Sequence, residues 1–108
     1  MYRLVLEIPV RDPSQIASIF EIIVKHAEEC GAAVFKTGNG VVWAHGGVLC
    51  VVYASLRPSV GVQPVAPGVK VLVQMSSESP EKLVEEANSL ERSLKSGGFS
   101  CVVAGDSA

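Results

Sequence analysis

The sequence predicts an α+β fold: a ferredoxin-like two-layer sandwich of two tandem β-α-β units with an inserted β-hairpin, an antiparallel sheet carrying two helices on one face. Two observations carry this reading. A period-two apolar run followed by a capped helical stripe occurs near each end of the chain, and the two stretches share their spacing. Counted from Pro13 and Pro80, Leu4, Leu6 and Ile8 fall in phase with Val71, Val73 and Met75, and Gly31 falls in phase with Gly98. Independent segments have no reason to keep such a register.

In the first unit, Arg3 to Val10 alternates as a strand, with Leu4, Leu6, Ile8 and Val10 on one face. Asp12-Pro13-Ser14-Gln15 reads as a helix start: Asp12 accepts from first-turn amides, Pro13 suits the first helical position, and Gln15 completes a capping-box pattern. Ile16, Ile19, Phe20, Ile23, Val24 and Ala27 form the apolar stripe, and Gly31 ends it. Ile22 lies off that stripe and hints at a further contact. The second unit has a strand from Val69 to Met75, a cap at Ser79-Pro80, a stripe of Leu83, Ala87, Leu90 and Leu94, a stop at Gly97-Gly98, and a last strand from Phe99 to Ala104.

Between the units, Ala32 to Lys36 and Val41 to Ala44 are short strand candidates, and Val48 to Leu56 is a long one. His45-Gly46-Gly47 reads as the hairpin joining the last two, because paired glycines supply the positive φ of a tight turn. Residues 57–68, RPSVGVQPVAPG, read as an extended surface arm, and 105–108 as a disordered tail beyond a single domain spanning 1–104.

Composition narrows the functions. The chain of 108 residues is 48% hydrophobic and 19% charged with a formal charge of −2, which offers no footprint for a phosphate backbone. No apolar run reaches the ~18 residues that span a bilayer, and the amino-terminal stretch alternates where a signal peptide is uniformly apolar. Cys30, Cys50 and Cys101 are odd in number and set in apolar surroundings, so they read as reduced thiols in a cytoplasmic protein.

The sheet face away from the helices is the feature most relevant to function. Alternation points Val5, Leu72 and Val102 to it, with either Leu49, Val51 and Tyr53 or Val48, Cys50 and Val52, and with Val42 or Trp43 beside them. An antiparallel strand apolar on both faces is covered on both. The expected cover is a second copy, since a self-complementary apolar patch is what a two-fold contact requires; the competing cover is the 57–68 arm.

Signals for chemistry are sparse. His26 and Cys30 are four apart on a helix, a metal-compatible spacing, but no second ligand pair accompanies them, so His26 reads as a last-turn histidine favoured by the helix dipole and no metal or other cofactor is expected. Cys50 with His45 makes no defined nucleophile pair, as no orienting acid is evident. The glycines of TGNGVVWAHGG lack phosphate-loop spacing and open no helix. Glu78, Glu81, Glu85, Glu86 and Glu91 with Lys82, Arg92 and Lys95 read as a solvated helix face. RNA-recognition domains share the plan, but the strand GVLCVVY has one aromatic and no basic residue with which to stack and hold bases.

Residues 6–20, LEIPVRDPSQIASIF, resemble small-molecule-sensing domains of the ACT kind, which also run strand, polar loop, helix. The resemblance implies that general architecture and a sensing role. Those domains place a glycine in the loop where an amino acid binds, and Arg11-Asp12-Pro13-Ser14 has none.

The sequence is therefore read as a binding or regulatory domain that self-associates through its sheet, without catalytic residues. A small-molecule pocket is expected where the His45 hairpin and the arm meet a partner copy, lined by Asn39, Trp43, His45 and Arg57. The alternatives are a small enzyme with His45 as general base at a dimer interface, needing an acid or a cysteine from the other subunit, and an RNA-associated or complex-subunit protein.

Overall fold

A computed structural model describes residues 1–56 and 69–107. Arg57 and the 57–68 arm lie outside the described residues, as does Ala108. The elements run β1 (Tyr2–Val10), α1 (Ser14–Glu29), β2 (Val34–Lys36), β3 (Gly40–His45), β4 (Val48–Leu56), β5 (Val69–Ser77), α2 (Pro80–Ser96) and β6 (Val102–Ser107). The strands form one sheet in the order β2-β3-β4-β5-β1-β6, every neighbouring pair antiparallel. The fold is α+β, with two helices packed on a six-stranded sheet. No helix among the described residues is long and apolar enough to cross a membrane.

The helix starts form by local hydrogen bonding. Pro13 already has helical angles, φ −52° and ψ −27°, so the capping position is Asp12, whose Oδ1 accepts from the Ser14 amide at 3.1 Å. Gln15 Oε1 accepts in return from the Arg11 and Asp12 amides at 3.0 and 3.4 Å. In α2 the extended Ser79 caps through its hydroxyl, which accepts from the Lys82 amide, and Pro80 opens the helix.

Both helices end the same way. In α1 the Gly31 amide donates to the Glu28 carbonyl and the Ala32 amide to the Ala27 carbonyl; in α2 the Gly98 amide donates to Lys95 and the Phe99 amide to Leu94. Gly31 and Gly98 sit at φ 84° and 90°, the left-handed step this double closure demands. That closure shortens the expected strands. Ala32 and Phe99 spend their amides on helix ends, so β2 begins at Val34 rather than Ala32, and β6 at Val102 rather than Phe99. At its other end β6 continues through residues 105–107, expected as tail, because Arg3 to Val5 of β1 still offer a free edge for pairing.

The core is the face on which Leu6, Ile8, Val41, Trp43, Val48, Cys50, Val52, Val71, Val73 and Met75 meet Ile19, Ile23 and Ala27 of α1 and Leu83, Ala87, Leu90 and Leu94 of α2. Register decides the ambiguity in β4: Val48, Cys50 and Val52 point inward, Leu49, Val51 and Tyr53 outward. The same alternation buries Trp43 and turns Val42 outward. Gly46 and Gly47, at φ 59° and 81°, close the β3–β4 hairpin as its two-residue turn. Ile22 finds its partner within the chain: its side chain fills the space that Gly97 leaves beside it at the end of α2.

Candidate functional site

The helix–helix seam carries a polar cluster beside the apolar core. On α1, Ile19, Ile23, His26 and Ala27 are the buried residues, so His26 belongs to the buried stripe. Cys30 follows one turn later and is half-buried. On α2, Glu86 lies three residues after Leu83 and four before Leu90, which turns it inward, and Ser93 follows seven residues later on the same side. Glu86 is therefore not part of the solvated acidic face. It is 9% exposed, with Glu81 and Glu85 remaining outside.

The contacts are specific. His26 Nδ1 lies 2.9 Å from Ser93 Oγ, and His26 Nε2 lies 3.7 Å from Glu86 Oε1 and 3.9 Å from Cys30 Sγ. The other carboxylate oxygen, Glu86 Oε2, is 3.3 Å from Nδ1 of His45, which the hairpin brings down beside α2. Glu86 Oε1 is shut off from solvent and accepts no hydrogen bond from the described residues. One donor atom each from His26, Cys30 and Glu86 lies within 4.8 Å of the other two, the arrangement of a three-ligand metal cup.

Burial governs the thiols. Cys30 is held above its ordinary value by desolvation first, then by the charges of Glu86 and Glu29. Burial, with Glu86 and Cys30 adding to it, pushes Cys50 up to about 12; burial and Glu91 push Cys101 up to about 11 against the lowering effect of Lys95. All three are free thiols.

Three of the four pocket residues expected from sequence, Asn39, Trp43 and His45, fall among the described residues. Trp43 is in the core at 1% exposure, its indole nitrogen without a partner among the described residues. His45 joins the buried cluster through Glu86. Asn39 is at the far end of β3, in the β2–β3 turn, where it lines a groove of about 740 Å³ between α1 and the hairpin. Ile16, Phe20, Val24 and Val41 floor that groove, and Lys25, Lys36 and Thr37 lie on its rim. Arg57 lies outside the described residues. Sequence reasoning missed Glu86 and Ser93. The available signal was an acid on the apolar stripe of α2, at a position where a solvated helix face has none.

Fold and cluster together define the class: a small α+β domain whose helix seam holds two histidines, a carboxylate and a thiol. No protein-family model matches the chain, and no curated protein matches it either.

Proposed function

We propose that this protein is a small cytoplasmic binding or regulatory domain that pairs with a second copy of itself through the open face of its sheet. The reading includes the ferredoxin-like plan. β6, β1, β5 and β4 keep the order and directions of a double β-α-β unit, and β2–β3 is a hairpin added between α1 and β4. Three free cysteines accord with a reducing compartment.

The observation that carries the pairing is the composition of the open face. Cross-strand register sets Phe35, Val42, Val51, Gln74 and Val5 in one row; Ala44, Leu49, Ser76 and Arg3 in a second; and Tyr53, Leu72, Glu7 and Val102 in a third. The β2–β4 half is apolar, with Phe35 65% and Leu49 46% exposed. The β5–β1 half carries polar groups that satisfy one another: Gln74 donates to the Tyr53 hydroxyl at 2.9 Å, and Lys70 pairs with Glu7 at 3.3 Å. Six strands about 4.8 Å apart, the three-residue β2 presenting about 10 Å and each of the others about 17 Å, give a footprint of roughly 450 Å² in projection. That is comparable with the ~800 Å² of accessible surface per partner in a stable interface. A second copy matches apolar half to apolar half.

A ligand for such a domain has a place in the groove between α1 and the β2–β3 hairpin, where Asn39 and Thr37 offer polar contacts above an apolar floor. General-base catalysis at His45 is the second reading. It is favoured by Glu86, an orienting acid from the same chain, where the sequence had called for one from the partner.

Light scattering across a dilution series tests the association. A dimer mass at tens of micromolar that relaxes to the monomer on dilution is expected; a monomer at every concentration overturns the proposal.

A further inference from the structure

We infer that the cup formed by His26 Nε2, Cys30 Sγ and Glu86 Oε1 is a binding site for one divalent transition-metal ion of the zinc type, with its fourth position left to solvent. This inference does not rest on the dimer.

The first argument is distance. A tetrahedral ion with nitrogen and oxygen ligands near 2.0–2.2 Å and sulfur near 2.3 Å sets its ligands about 3.3–3.6 Å apart. The observed separations from His26 Nε2, 3.7 Å to Glu86 Oε1 and 3.9 Å to Cys30 Sγ, are a few tenths longer, and the three ligand atoms together lie within 4.8 Å of one another, a span that side-chain rotation closes when an ion binds. The second argument is unmet bonding. Glu86 Oε1 is buried, lies beside His26 Nε2 and accepts no hydrogen bond from the described residues, a state that is costly for a carboxylate unless something positive sits against it.

The third argument is the support around the ligands. His26 Nδ1 lies 2.9 Å from Ser93 Oγ, which holds the ring in place; in the tautomer whose Nδ1–H donates to that hydroxyl, the Nε2 lone pair is free for an ion in the cup. His45 holds the second carboxylate oxygen of Glu86 at 3.3 Å, as outer partners hold ligating carboxylates. The donor set of imidazole, thiolate and carboxylate selects a borderline ion such as Zn²⁺ over Mg²⁺ or Ca²⁺, which take oxygen alone. Three protein ligands with an open position is the arrangement of a site that exchanges its fourth ligand, and half-buried Cys30 marks the side from which the ion enters.

Titration of the full chain with Co²⁺, after treatment with a chelator and removal of it, tests the site. One ion per chain is expected, with the intense visible bands of four-coordinate cobalt and a thiolate-to-cobalt charge-transfer band, all bleached by Zn²⁺. Cys30→Ser removes the charge-transfer band, whereas Cys50→Ser and Cys101→Ser retain it. His26→Gln and Glu86→Gln weaken binding at least ~10-fold, and Ser93→Ala weakens it by about 10- to 100-fold, as outer-partner losses do. Zn²⁺ raises the melting temperature of the wild type and of Cys101→Ser but not of Glu86→Gln, a readout that also verifies that each variant is folded. The inference is overturned by the lack of a saturable cobalt site, as when the cup holds only an imidazolium–carboxylate pair, or by a charge-transfer band that survives Cys30→Ser.

Discussion

Leu49 and Val52 lie on one strand and face opposite ways, so truncating each separates the two surfaces of the sheet. Leu49 is 46% exposed in the single chain and touches the open face; Val52 is fully buried against the helices. Full burial of a leucine is worth about 1.5–3 kcal/mol, so covering the exposed half in a dimer contributes about 0.7–1.4 kcal/mol per copy. A two-fold contact counts it twice, so Leu49→Ala weakens dimerisation by about 1.5–3 kcal/mol, roughly ten- to a hundred-fold in Kd. The monomer itself loses no more than ~0.5 kcal/mol. Val52→Ala has the opposite profile. It removes buried methyl groups and leaves a cavity at a cost of about 2–3 kcal/mol, lowering the melting temperature by roughly 10 °C or more. Sedimentation equilibrium reads the first effect, and thermal melts at a concentration where both proteins are monomeric read the second. Leu49→Asp, which sets a charge in the apolar half of the face, abolishes association. The reasoning is refuted if Leu49→Ala melts as early as Val52→Ala, or if it leaves Kd unchanged in a protein that does dimerise.

Three further outcomes are expected. Cys50 is pushed from 9.0 to about 12 by burial, so the folded chain keeps a proton that the unfolded chain releases. That contribution is whole below about pH 9 and declines as pH rises toward 12. Urea midpoints of the wild type therefore fall with pH on the alkaline side and those of Cys50→Ala fall less, while a thiol reagent at neutral pH labels Cys50 only on unfolding; rapid labelling of native Cys50 contradicts the burial argument. Ser79→Ala leaves the Lys82 amide without its acceptor and costs about 1 kcal/mol in chemical denaturation, with Ser79→Asp restoring it. Gly40→Ala is the severe surface-strand change, because the new Cβ overlaps the Val52 carbonyl oxygen across the β3–β4 ladder; a loss of about 3 kcal/mol or more is expected, and a loss below ~1 kcal/mol would show that the strands sit farther apart.

Local rules reached most of the secondary structure. Asp12-Pro13, Ser79-Pro80 and the glycines at 31 and 98 act over four or five residues, so the helix limits were legible to within a residue or two. The strand ends after the helices were less so, since Ala32 and Phe99 have strand-like side chains but commit their amides to closing the helices. The open apolar face was legible as alternation, although β4, apolar on both sides, gave two solutions until pairing with β3 and β5 chose between them. The cluster was not legible. Glu86 reads as one acid among four in its helix, and its burial depends on His26 from the other helix and His45 from the hairpin, partners that only packing supplies.

By itself the sequence determined the elements, their apolar faces and the repeated spacing of the two strand–helix units, because caps, turns and periodicity are properties of neighbouring residues. Only the tertiary structure decided which side of β4 is buried, that Ile22 docks on Gly97, and that His26, Cys30, Glu86 and His45 share one seam. Those are distances between segments far apart in the chain, set by how the two helices pack across the sheet.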